Sequence, residues 1–292
     1  MIDQEKSGRP FWSYVILAVK GVCMGVANWI PGVSGGTIAF VTGIYQELIS
    51  SIKAVDLSLF KMLLQGNVRS VWRKVNGSFL VAVFSGVLLS LFSLANLMKY
   101  LLATHPIPMW SFFSGLVAAS AIYVLTSLKG IKFGSWLVLV LGFVIAVVVC
   151  KISPTETPNG FWFIFLSGAV SVCAMILPGL SGSFVMILLG KYFFMMEAVT
   201  HLYWDIILVF AVGAAIGLVS FSHVLSWLLK KYYNPTVCLL VGFMFGSIEK
   251  IRPWREATFE PTQWGICVLF IALGFALVFG VEFLAKKTKA PF

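Results

Sequence analysis

Two short turns in this chain place hydroxyl and glycine residues where an anion could be bound. The first lies in "NWIPGVSGGTIAF" at residues 28–40, and the second lies in "MILPGLSGSFVMI" at residues 175–187. Each stretch contains proline, glycine, one apolar residue, serine and glycine in that order. Hydroxyls and bare backbone N–H groups suit phosphate oxygens, because they donate hydrogen bonds without a side chain blocking close approach. The repeated pattern predicts one anion site built from two similar turns.

The predicted substrate-binding residues lie in or beside these turns. They are Lys20, Asn28, Pro31, Gly32, Ser34, Gly35, Gly36 and Thr37 in the first half, and Pro178, Gly179, Ser181, Gly182, Ser183 and Lys191 in the second. Proline removes a backbone donor and ends one helical limb, and glycine allows a tight turn. The next helix would begin with its N–H groups and positive dipole end directed at the turn. We therefore expect backbone groups to supply most of the binding.

Three of these residues have a second interpretation. Lys20 and Lys191 lie within the limbs that flank the turns, where a charge is costly in a membrane and often functional. Either lysine could bind the anion or extend its ammonium group to the membrane surface. Asn28 could cap the break in the helix rather than contact a ligand. The sequence leaves these alternatives open.

Four charged residues are candidates for coupling or gating, namely Glu47, Glu197, Glu249 and Arg252. The first two lie toward limb ends, where they could carry a coupling proton or sodium ion or simply be solvated. The other two belong to "GSIEKIRPWRE", which is either a solvated outer loop or a rim that attracts headgroups. We predict no catalytic residue, cofactor or metal, because the histidines and cysteines show no ligand spacing.

The turns lie in a chain that is too apolar for a soluble domain. Of its 292 residues, 60% are hydrophobic and 11% are charged, and the mean hydropathy is +0.97. Soluble domains are about half apolar and about one quarter charged. Apolar runs of about 20 residues cross the membrane as helices, and the alternating pattern of barrel strands is absent. The predicted fold class is an all-α integral membrane protein.

The hydrophobic pattern divides the chain into two similar halves. The predicted N-terminal repeat is 1–152, with a broken or re-entrant hairpin at 11–52, an amphipathic interfacial helix at 53–76 and spans within 78–150. The predicted C-terminal repeat is 153–292, with a hairpin at 160–200 and spans within 205–285. The predicted spans are 78–99, 109–128, 134–150, 205–229, 236–249 and 263–285. Three spans per half invert the second half relative to the first, an arrangement typical of secondary transporters.

The basic residues support this topology. Fourteen of them fall in segments predicted to be cytoplasmic, namely Lys6, Arg9, Lys53, Lys61, Arg69, Arg73, Lys74, Lys129, Lys132, Lys230, Lys231, Lys286, Lys287 and Lys289. Five fall in predicted outer loops, namely Lys99, Lys151, Lys250, Arg252 and Arg255. This bias places both termini in the cytoplasm. The formal net charge of +10 is then explained by topology, and we predict no nucleic-acid partner.

The stretches "MGVANWIPGVSGGTIAFVTGIYQELI", "LPGLSGS" and "GFMFGSIEKIRPW" resemble the bacterial polyprenyl-phosphate transporter family, over essentially the whole chain. The resemblance implies return of undecaprenyl phosphate, the lipid carrier for peptidoglycan and other envelope glycans, across the cytoplasmic membrane. It also adds Gly43 and Tyr45 to the family motif positions. Phe184 stands where the first turn has Thr37, which predicts an asymmetric site with one hydroxyl fewer in the second turn.

Two other function classes remain open from the sequence. Undecaprenyl pyrophosphate phosphatases also use inverted hairpins with a similar turn, but here glycine replaces the arginine that follows the serine, so the chemistry for phosphoryl transfer is missing. A small-anion channel or transporter could use the same turns. The predicted partners are the polyprenyl-phosphate lipid, anionic membrane lipids near the basic interfacial helix, and a second copy of the chain in a homo-oligomer.

Overall fold

The computed structural model describes residues 9–28, 34–93, 95–152, 157–255 and 260–287. Within these ranges the chain forms helices and no strand. The α-helices are α1 (Phe11–Asn28), α2 (Gly35–Val41), α3 (Tyr45–Lys53), α4 (Leu57–Leu64), α5 (Val68–Lys74), α6 (Gly77–Ser93), α7 (Ala95–Thr104), α8 (Pro106–Ser127), α9 (Phe133–Lys151), α10 (Phe161–Ile176), α11 (Gly182–Leu188), α12 (Tyr192–Thr200), α13 (Trp204–Lys231), α14 (Tyr233–Ile251) and α15 (Trp264–Lys287). Short 3-10 helices occupy Pro253–Arg255 and Pro261–Gln263.

Several of these helices can cross a membrane. In the described part of the chain, α1, α8, α9, α13 and the segment Pro261–Gly280 are each long and apolar enough. A sixth span results if α11 and α12, which meet at 105°, are counted as one broken helix. The predicted all-α integral membrane fold is therefore confirmed.

Each predicted hairpin contains three helices rather than two limbs. The first consists of α1, α2 and α3, and the second consists of α10, α11 and α12. The additional break falls at Gly43 (φ +74°) in the first hairpin and at Gly190 (φ +62°) in the second. Glycine adopts this left-handed conformation without the steric cost of a side chain. These two glycines are 147 residues apart (190 − 43), which is the offset of the two prolines.

Helix pairs that the repeat makes equivalent pack in the same way, two of them within a half and two of them between the halves. Helix α1 packs on α6 and α10 packs on α13, while α8 packs on α15 and α14 packs on α9. Glycines allow close backbone approach in each case: a Cβ on Gly21 would lie 2.0 Å from Val83 O, and one on Gly168 would lie 2.3 Å from Phe210 O. This pattern is what a two-fold repeat would produce. The inverted orientation of the halves in a membrane stays a prediction.

The predicted interfacial segment 53–76 forms two short helices, α4 and α5, rather than one. The chain turns between them at Gly66, whose φ is +70°. Asp56 caps α4, and its Oδ1 accepts a hydrogen bond from Lys74 Nζ at 2.5 Å. The hydrogen bond from the Lys74 ammonium group holds the pKa of Asp56 well below its usual range. This ion pair therefore links the start of α4 to the end of α5 at neutral pH.

Candidate functional site

The two predicted turns are in direct contact. Ser34 Oγ donates a hydrogen bond to Met175 O at 3.0 Å, across 141 residues of sequence. Gly179 N donates to Thr37 Oγ1 at 2.9 Å. Ser34 and Thr37 are 1% and 0% exposed, so these bonds lie in the protein interior. The structure therefore brings the hydroxyl residues of the first turn against the backbone of the second.

The first turn is capped by its own side chains. Asn28 Oδ1 accepts a hydrogen bond from Gly35 N at 2.8 Å, and Ser34 Oγ accepts one from Gly36 N at 3.1 Å. Thr37 N donates to Ser34 O at 2.9 Å. The first three amides of α2 are therefore bound within the protein. Asn28 thus binds the first amide of α2, which fits its alternative role as a cap; a contact between Asn28 and substrate stays a prediction.

The second turn is arranged differently. The Ser181 side chain does not cap α11, and its Oγ lies 2.9 Å from Ser183 Oγ. Ser181 is only 6% exposed. Two adjacent hydroxyls therefore lie at the start of α11 and bind each other rather than the helix. Hydroxyls in such a pair can be redirected to a ligand without uncapping the helix.

Glycines let the backbones at both turns pack closely. A Cβ on Gly36 would lie 2.5 Å from Ile176 O, and one on Gly182 would lie 2.6 Å from Ser171 O. Gly179 has φ +86°, and its Cβ would meet the α14 backbone at 2.6 Å. The glycines are thus required for protein packing at these positions. The effect of a glycine substitution on ligand binding must therefore be measured separately from its effect on packing.

Pro178 lies in the tight turn after α10, which is closed by a hydrogen bond from Leu180 N to Leu177 O at 3.2 Å. The corresponding residues of the first turn, Pro31 and Gly32, were predicted to bind substrate but lie outside the described residues.

The two lysines predicted to bind substrate have partners at the far ends of α2 and α11. Lys20 Nζ donates to Thr42 O, at the C-terminal end of α2, at 2.7 Å. Lys191 is only 2% exposed, and its Nζ donates to Thr157 O at 2.9 Å and Asn159 Oδ1 at 2.5 Å. A seven-residue helix is about 10 Å long. The ammonium groups are thus held one helix length away from the turns.

Two of the acidic coupling candidates, Glu47 and Glu197, also lie away from the turns. Glu47 forms an ion pair with Arg9 at 2.8 Å and accepts a hydrogen bond from Asn76 Nδ2 at 2.6 Å. These contacts link α3 to the starts of α1 and α6. Glu197 lies on α12 and is exposed. Neither carboxylate contacts the residues of the paired turns among those described.

Helix α14 places Lys250, which the sequence assigned only to an outer loop, against a side chain near the start of α11. Lys250 Nζ lies 4.2 Å from the centre of the Phe184 ring, and Phe184 belongs to the first turn of α11. Nearby, Glu249 pairs with Arg252 at 3.1 Å. The seven-residue spacing of Phe243 and Lys250 could have indicated that they share a helical face. The partner of that face could not be deduced from spacing alone.

Fold and site together define a multi-pass helical membrane protein whose broken helices meet at turns rich in hydroxyl groups and glycine. Secondary transporters build substrate sites in this way. The family model described as undecaprenyl phosphate translocase-like matches residues 24–265. The chain belongs to this family, so the resemblance seen in the sequence is confirmed.

Two curated relatives extend the match to nearly full length. A polyprenyl-phosphate transporter of Vibrio cholerae is 39% identical over 302 residues, covering 94% of this chain and 98% of the relative. A polyprenyl-phosphate transporter of Staphylococcus aureus is 28% identical over 276 residues, covering 88% of this chain and 92% of the relative. No solved structure matches the chain.

Proposed function

We propose that this protein transports polyprenyl phosphate across the bacterial cytoplasmic membrane and is not an enzyme. Both curated relatives bear the name polyprenyl-phosphate transporter and align over almost their whole length. The observation that carries the proposal is the contact between the turns through Ser34–Met175 and Thr37–Gly179. One shared site made from both halves is what a transporter that alternates between two faces requires.

The phosphate group would bind mainly at the second turn. Its hydroxyls, Ser181 and Ser183, bind each other and are not needed to cap α11. Most donors of the first turn are already bound, because Asn28 and Ser34 accept from the amides of Gly35 and Gly36. The sequence predicted one site built from both turns, with one hydroxyl fewer in the second. The observed hydrogen bonds favour the second.

Transport would proceed by movement of the two halves about this site. A phosphate that binds Ser181 and Ser183 replaces their mutual hydrogen bond with charge-assisted ones, which are about twice as strong. The hydrogen bonds between the turns would keep the halves together while the outer and inner ends open in sequence. We propose net movement toward the cytoplasmic face, which would return the carrier lipid for synthesis of envelope glycans.

The residue types at the turns favour transport over hydrolysis. Phosphoryl transfer requires a nucleophile with a base and groups that neutralise the transferred phosphoryl. Residues 34–37 and 175–183 contain no Asp, Glu, His, Lys or Arg. The serines therefore have no base within the turns to activate them, and hydrogen bonding is the chemistry that they can supply.

Reconstitution tests the transport proposal directly. Purified protein would be placed in liposomes with labelled undecaprenyl phosphate, and a phosphatase added outside would hydrolyse only headgroups in the outer leaflet. We expect protein-containing liposomes to expose nearly all headgroups, while protein-free liposomes expose only the outer half. Equal hydrolysis in the two preparations would refute the proposal. Hydrolysis by the protein without added phosphatase would instead indicate an enzyme.

A further inference from the structure

Each broken hairpin is closed by polar contacts between the start of its first helix and the start of its third. In the first tie, Arg9 Nη2 donates to both carboxylate oxygens of Glu47 at 2.8 Å. In the second tie, Lys191 Nζ donates to Thr157 O at 2.9 Å and to Asn159 Oδ1 at 2.5 Å. Arg9 and Asn159 each lie two residues before the first helix of their hairpin (11 − 9 and 161 − 159). The two ties therefore occupy corresponding places in the two halves.

The third helix of each hairpin follows a glycine that can act as a hinge. Gly43 and Gly190 have left-handed φ angles and lie two residues before α3 and α12 (45 − 43 and 192 − 190). A Cβ on Gly43 would contact nothing within 4 Å, so packing does not require a glycine there. Hinges are a few residues at the ends of helices that absorb a change in backbone angles. Helices α3 and α12 can therefore rotate away from the helices to which the ties hold them.

The turns of the candidate site are closed while both ties are formed. Ser34, Thr37 and Ser181 are 1%, 0% and 6% exposed. A phosphate headgroup can reach these residues only if the surrounding helices separate. Helices α2 and α11 have seven residues each, or about 10 Å, so each tie lies about one helix length from its turn. The structure is therefore an arrangement in which the site is closed on both sides.

The two ties differ in how easily they can open. The Arg9 and Glu47 side chains are 39% and 27% exposed, and an ion pair in contact with water contributes little to stability. Lys191 is 2% exposed, and its ammonium group also lies 5.4 Å and 5.3 Å from the ring centres of Phe163 and Phe194. Opening the second tie leaves a buried donor without its acceptors, which costs more. The first tie should therefore open more readily.

We propose that the two ties are the gates of transport. The first tie opens the site to the cytoplasmic face and the second opens it to the opposite face, and one stays closed while the other is open. This inference rests on the proposed transport function and on the topology predicted from the basic residues. It identifies the contacts that must break before a headgroup can enter or leave.

Covalent closure of each tie tests this role in the liposome assay with undecaprenyl phosphate and external phosphatase. In a cysteine-free background, Arg9→Cys with Glu47→Cys closes the first tie. Thr157→Cys with Leu189→Cys closes the second and retains Lys191, because Thr157 Oγ1 donates to Leu189 O at 2.5 Å. A bifunctional maleimide with a reducible spacer joins each pair, and a reductant releases it.

The matched control is a third pair of cysteines at an ion pair outside the hairpins. Asp56→Cys with Lys74→Cys joins α4 to α5, whose ion pair is 2.5 Å long. Thermal unfolding in detergent checks that each variant is folded. If one of the two tie variants unfolds, the other still tests the requirement for opening.

We expect cross-linking at either tie to slow headgroup exposure about ten-fold or more, because a gate that cannot open prevents turnover. Reduction should restore the rate that each variant had before cross-linking. The cross-linked control should transport at nearly its rate before cross-linking.

Three results would overturn these assignments in distinguishable ways. An unchanged rate in a fully cross-linked, folded tie variant would show that this tie is a structural contact that stays closed, although the transport proposal would survive. Equal slowing in the control would show that restraint at the ties is not specific, which refutes the gates. Wild-type protein that exposes no more headgroups than protein-free liposomes would overturn the proposed function and this inference together.

Discussion

The different hydrogen bonds of the two turns predict different consequences of losing their serines. Ser34 Oγ accepts from Gly36 N and donates to Met175 O, so Ser34→Ala removes a helix cap and a bond between the halves. Ser181 Oγ contacts only the Ser183 hydroxyl among the described residues, and it caps no helix. Ser34→Ala should therefore act on stability, and Ser181→Ala should act on substrate binding.

The expected magnitudes follow from the bonds that are lost. Loss of a serine N-cap costs about 1 kcal/mol of stability. Loss of a buried neutral hydrogen bond costs about 1 kcal/mol more. Ser34→Ala should therefore destabilise the protein by roughly 2 kcal/mol. Ser181→Ala should lose only its contact with Ser183, but a charge-assisted bond to phosphate is worth about 1.5–3 kcal/mol, or roughly 10- to 150-fold in affinity.

Two measurements on the same preparations separate these effects. Thermal unfolding in detergent reports stability, and titration with farnesyl phosphate reports affinity at a temperature where both variants are folded. We expect a lower melting temperature with nearly normal affinity for Ser34→Ala, and the converse for Ser181→Ala. Weakened binding only in Ser34→Ala, with Ser181→Ala normal in both assays, would refute the assignment of the phosphate to the second turn.

Three further predictions follow from individual contacts. Lys191→Met should destabilise the protein by about 1–3 kcal/mol in thermal unfolding, because it leaves Asn159 Oδ1 without its donor; unchanged stability would contradict a structural role. Gly36→Ala should impair folding, because its Cβ would lie 2.5 Å from the last carbonyl oxygen of α10, and normal yield and melting temperature would contradict this packing. In a cysteine-free background, an impermeant thiol reagent should label Trp254→Cys but not Gln65→Cys in intact cells, and the reverse pattern would contradict the topology.

The sequence predicted the parts of the fold that depend on local composition and on repetition. Apolar runs of helical length indicated the membrane helices. Two copies of one turn, 147 residues apart (178 − 31), predicted that the turns belong to one site, and the Thr37–Gly179 hydrogen bond places them in contact. The second break of each hairpin was not predicted, although Gly43 and Gly190 lie there, because glycine is also common inside membrane helices.

The roles of the lysines could not be predicted from their positions. The sequence shows that Lys20 and Lys191 lie within apolar segments. It does not show where the ammonium group lies, because the lysine side chain has four rotatable bonds. Lys191 is held by Asn159, which precedes α10, and this partner depends on tertiary packing. Lys250 was assigned to a loop because it follows the apolar run, whereas α14 continues to Ile251 and directs the side chain to Phe184.

The claim that the paired turns hold the headgroup is tested most directly by a crystal structure of the protein bound to undecaprenyl phosphate. We predict that the phosphate oxygens lie within hydrogen-bond distance of the Ser181 and Ser183 hydroxyls. A headgroup bound instead at Lys20 or Lys191, with the Ser181–Ser183 pair unchanged, would contradict this account.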